Sequence, residues 1–103
     1  MNEIFRKMIS ESLGINFSFR PNHPHFLISV QAFPQKVITD NKLLSCVAQC
    51  LGDMGFELDA DLVSPKDDDF TWIKTKKEKE TFSVGITNTM KPPFYIIITL
   101  TRI

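Results

Sequence analysis

Glycine is scarce in this chain. There are four in 103 residues, all isolated, so neither G-x-G-x-x-G nor G-x-x-x-x-G-K-[ST] occurs and no glycine-rich loop can cradle a phosphate. Cysteine is almost absent too. Cys46 and Cys50 are the whole complement, four apart in a segment with helical periodicity, which gives no disulfide framework and no paired knuckle for structural zinc. No apolar stretch approaches the ~18 residues that cross a bilayer; the longest, FYIII at 94–98, has the length of a strand. The opening MNEIFRKMISESLG does not follow the basic, apolar, small-residue order of a secretory signal, so a cytoplasmic protein is expected. There is no G-x-S-x-G elbow, and no serine or cysteine stands in a nucleophile motif. An excess of charge of either sign is also missing: twelve Lys+Arg balance twelve Asp+Glu, which removes any global attraction to nucleic acid or an anionic membrane.

What remains is an ordinary globular composition, 43% hydrophobic and 23% charged. Nine phenylalanines against one tyrosine and one tryptophan suggest a core built on Phe, which has no polar atom to satisfy. The length fits one domain over residues 1–103.

Apolar spacing predicts a helix over 2–13, with Ile4, Phe5, Met8, Ile9 and Leu13 on one face and Gly14 as its stop. INFSFR (15–20) alternates as a half-buried strand, with Ile15, Phe17 and Phe19 inward, and FLISVQAF (26–33) returns antiparallel to it after the proline-broken PNHPH. A second helix follows, capped by Asp40 with Thr39 as the competing choice, its stripe running through Leu43, Val47, Cys50, Leu51 and Met54. FELDADLV, FTWIKT, TFSVGIT and FYIIITLT then read as four strands, with SPKDDD, the charged tip KKEKE and NTMKPP as turns. All six prolines fall between these expected elements. The expected fold is α+β in the order α-β-β-α-β-β-β-β: a mainly antiparallel sheet of five or six strands with both helices on one face.

Charge is neutral in total but not in distribution. Residues 53–69 carry seven acids and one base, a net of −6, offset by +2 in residues 1–52 and +4 in residues 70–103. Alternation along a strand would place Glu57, Asp59 and Asp61 on one side at ~7 Å intervals, followed by Asp67, Asp68 and Asp69 in the turn. Trp72, beside that turn, shares a strand face with Phe70, which favours the core; were it exposed it would anchor an interface. An acidic face with an aromatic neighbour suits a basic protein partner. The expectation is a small non-enzymatic protein-binding domain, with the immunity proteins and antitoxins that plug basic nuclease toxins as the model, acting without cofactor or metal as a monomer or homodimer. Its partner-binding residues would be Glu57, Asp59, Asp61, Asp67, Asp68, Asp69 and Trp72.

Two alternatives compete. A small metal-dependent hydrolase could use the aspartates with His23 or His25, although DDD has neither the alternate ligand spacing nor the glycine of a calcium loop. An adaptor or oligomeric subunit could pair FYIIITLT with its copy along a sheet edge. The cysteines fall in the apolar stripe, where a free thiol packs as a small hydrophobe.

Overall fold

The computed structural model describes residues 2–20, 25–67, 70–77 and 80–102, and within them the side chains of 3–20, 25–57 and 80–102. Among the described residues two helices and six strands follow one another: α1 (Asn2–Leu13), β1 (Ser18–Phe19), β2 (Ile28–Ala32), α2 (Asp40–Asp53), β3 (Glu57–Asp67), β4 (Phe70–Lys77), β5 (Glu80–Asn88) and β6 (Ile96–Arg102). The fold is α+β. All strand pairings are antiparallel, and the sheet order is β1-β2-β6-β5-β4-β3.

Local chemistry explains the boundaries. Gly14 takes φ +69° and its N–H donates to the Ser10 carbonyl at 2.9 Å, closing α1 where a side chain would be strained. The Ser10 hydroxyl then accepts from the Phe17 N–H at 3.1 Å and ties the helix to the chain entering β1. Thr39 is the N-cap of α2: its extended backbone (φ −67°, ψ 150°) lets the hydroxyl accept from Lys42 N–H at 3.4 Å. Asp40, expected as the cap, is instead the first helical residue, and its carboxylate is used elsewhere. Buried Asn88, at the end of β5, donates from Nδ2 to Asp40 Oδ1 at 2.9 Å and to the Ile38 carbonyl at 2.8 Å.

The core lies between the helices and one face of the sheet. Register places Val30, Ile98 and Ile86 in one cross-strand row, and Ile28, Leu100 and Val84 in another. All six are buried. Phe5 and Ile9 of α1 and Leu43, Val47 and Leu51 of α2 belong to the same cluster, so both helices cover the same face. Phe56 meets Phe82 edge-to-face at 5.4 Å, closing the core where α2 hands over to β3. On the opposite face Ile97, Thr99 and Thr101 of β6 are only half-buried.

Several expectations change. Phe19 is 44% exposed rather than in the core, because β1 is only two residues long and forms the end of the sheet; the Arg6 guanidinium lies 5.7 Å from its ring centroid. Ile4 is exposed, and Met8 and Ile15 are half-buried. SPKD does not turn the chain but continues β3 to Asp67. Pro65 is therefore inside a strand, in the irregular stretch between the paired residues Val63 and Asp67. Proline lacks the N–H a ladder needs, and a terminal strand with a break in pairing is where it is tolerated. FYIIITLT supplies β6, bonded to β2 on one side and β5 on the other; both of its edges are taken, which overturns pairing with a copy along that strand.

Candidate functional site

Of the acidic stretch, Glu57, Asp59, Asp61 and Asp67 fall on β3, the last strand in the sheet order. Glu57 is exposed and stands opposite Lys76 in the register. The regular alternation expected beyond it is interrupted. Leu58 pairs with Thr75 and Leu62 with Ile73, so four steps along β3 match two along β4. Asp59 and Asp61 fall inside this shift, where extra residues bend and twist a strand. A second shift separates Val63 from Asp67, which pairs with Phe70. The side chains of Asp59, Asp61 and Asp67 lie outside the described ones, and Asp68 and Asp69 lie outside the described residues altogether.

Trp72 pairs with Val63 on β3 and with Gly85 on β5. The residues of β5 in the hydrophobic core cluster, Phe82, Val84 and Ile86, pair instead with Thr75, Ile73 and Thr71. Trp72 and Phe70 thus occupy the register alternate to the core row, against the expectation that they share it. Both side chains lie outside the described ones.

Among the described residues the remaining candidates do not come together into one cluster. His25 is exposed and His23 lies outside the described residues. Cys46 and Cys50 are buried free thiols of the α2 stripe. Burial first, and then the neighbouring Cys46, push the Cys50 thiol from 9.0 up to about 11. Such a group keeps its proton at neutral pH, the opposite of an activated nucleophile or a metal-binding thiolate. Among the described residues no three of His, Cys, Asp and Glu come close enough to hold a metal ion, and no helix is long and apolar enough to cross a membrane.

Sequence reasoning passed over a concave feature at the other end of the sheet. A cleft of about 540 Å³ opens between residues 13–16, where α1 leads into β1, and residues 33–38, where β2 leads into α2, with Lys42 at its side. Phe33 and Val37 border it at 69% and 48% exposure. QAFPQKVIT carries the signal that could have found it: two large apolar residues outside any alternating or helical stripe. Comparisons with protein-family models, with curated proteins and with solved structures find no match to this chain.

Proposed function

We propose that the chain is a small protein-binding domain that receives a basic partner along β3. The observation carrying this reading is the terminal place of β3 in the strand order, combined with the net charge of −6 over residues 53–69. A terminal strand is the part of a sheet that another chain can approach. Carboxylates there discriminate: two copies of β3 repel each other, whereas a surface rich in lysine and arginine is drawn in. Such charge acts mainly on encounter rate and on choice of partner. The two register shifts and Pro65 disfavour regular strand addition, so recognition would run through side-chain charge rather than a continued backbone ladder. The finer version is an inhibitor of the immunity or antitoxin kind, whose acids stand in for the phosphates of a nucleic acid in the basic site of a nuclease.

Parallel affinity capture with the wild-type chain and with Asp59→Lys/Asp68→Lys, followed by association kinetics on the captured protein, tests this. The wild type should retain a basic protein whose association slows as salt rises, and the double variant should not. Equal capture by both chains, or a rate indifferent to ionic strength, would reduce the acidic strand to a solvated edge.

A further inference from the structure

The cleft at the β1–β2 end of the fold is independent of β3 and has its own chemistry. Its walls mix apolar and polar groups: Leu13 and Ile15 on one side and Pro34, Val37 and Ile38 on the other, with Phe33 at the border, are interleaved with Asn16 and Gln35. Leu13, Ile15 and Ile38 also pack on the core, so the walls are anchored from behind. Phe33 and Val37 are the opposite case, apolar surface exposed at 69% and 48% that the core does not use. A volume of about 540 Å³ lies in the ~300–1,000 Å³ range typical of small-ligand sites, which are mostly apolar with a few polar groups that orient the ligand.

The charges of this cleft have one sign. Lys36 and Lys42 line it and no acidic residue does. Neither lysine is in an ion pair among the described residues. The first turn of α2 adjoins the same wall, through Ile38 and Lys42 on either side of the Thr39 cap; its Asp40 carboxylate is not among the lining residues and accepts from Asn88. Apolar side chains beside unpaired ammonium groups complement a ligand with a hydrocarbon or aromatic body and a single anionic end.

We propose that this cleft binds a small amphipathic carboxylate, its apolar body against Ile15, Val37 and Phe33 and its carboxylate between Lys36 and Lys42. A multiply charged phosphate compound fits less well, since the lining holds no arginine fork and much of it is apolar. Exposed ammonium groups each add only a few-fold to the affinity for a carboxylate, so the two together separate it from an uncharged analogue by roughly tenfold.

Backbone amide NMR titrations of the full chain with decanoate, decanol and inorganic phosphate, each below any micelle-forming concentration, test the proposal. Decanoate should give saturable shifts centred on Gly14, Ile15, Val37 and Lys42, with decanol roughly tenfold weaker and phosphate weaker still. The Lys36→Gln/Lys42→Gln variant, altered only at exposed positions, should keep its dispersed spectrum and bind decanoate no better than decanol. Phe33→Ser should weaken both apolar probes together. The proposal fails if decanoate gives no saturable shift, if the shifts lie away from the cleft, if decanol or phosphate binds as tightly, or if the double lysine variant binds decanoate unchanged.

Discussion

Asn88 connects two parts of the chain that are distant in sequence. Its amide nitrogen holds the Ile38 carbonyl and the Asp40 carboxylate, fixing the start of α2 against the end of β5. Nothing in NTMKPP announces this, because the partners lie 48 and 50 residues away and a turn asparagine ordinarily bonds its own neighbours. Truncating Asn88→Ala leaves both acceptors without that donor and should cost about 1–3 kcal/mol in urea unfolding. A loss near zero would mean that water replaces the amide. Cys50 gives a pH-dependent counterpart. Since its folded pKa is raised from 9.0 to about 11, the folded chain keeps a proton that the unfolded chain releases. This group leaves stability unchanged below pH 9.0, then lowers it progressively until about pH 11. The total loss is of the order of a few kcal/mol at most. Comparing wild type with Cys50→Ala by denaturant titration across that window should show a shallower alkaline decline in the variant; parallel curves would remove the thiol from the account.

The elements themselves were largely legible because both periodicities are strong. Phe5 and Ile9 fall on one helical face, Ile96, Ile98 and Leu100 on one strand face, and all five are buried. The limits of legibility are physical. Alternation sets which side Phe19 faces, but not that β1 ends the sheet with too little over it. Pro65 and Asp67 resemble part of a turn because turn residues and a bulged terminal strand share a composition. Two glycines test how elements are terminated and sustained. Gly14, at φ +69°, closes α1, and Gly14→Ala should lose about 1 kcal/mol despite the open space around it. Gly52 is a helical residue of α2 at which a Cβ would also meet nothing, so Gly52→Ala should gain roughly 0.5–1 kcal/mol. Opposite signs in thermal unfolding are the expected outcome; a gain at both would mean that the α1 end relaxes out of its left-handed turn. Ile98→Ala, at the centre of the sheet, should cost about 2–5 kcal/mol by the same measurement. A cost near half a kcal/mol would contradict the packed row it shares with Val30 and Ile86.

At the scale of the whole molecule, a sheet covered by helices on one face ends in two dissimilar strands. The β1 end has only two paired residues, Ser18 and Phe19, too short a row to template another chain. The β3 end spans eleven residues and is the greater liability. Its charge was readable from the sequence; that it ends the sheet was not, because composition does not reveal that β6 enters between β2 and β5 and displaces β3 and β4 outward. Like charges along a terminal strand oppose pairing with a second copy, which would give the acids a role that needs no partner. Neutralising them with Glu57→Gln, Asp59→Asn and Asp61→Asn, which removes three negative charges while preserving side-chain size, should make sedimentation depend more strongly on protein concentration than it does for the wild type. If the wild type is monomeric, low salt should separate the two chains most, because screening weakens the wild-type repulsion as ionic strength rises. If the triple variant sediments like the wild type at every salt and protein concentration, the register shifts and Pro65 are sufficient to protect the strand. The carboxylates would then be free of any duty in keeping copies apart, and their concentration on β3 would weigh more heavily toward a basic partner.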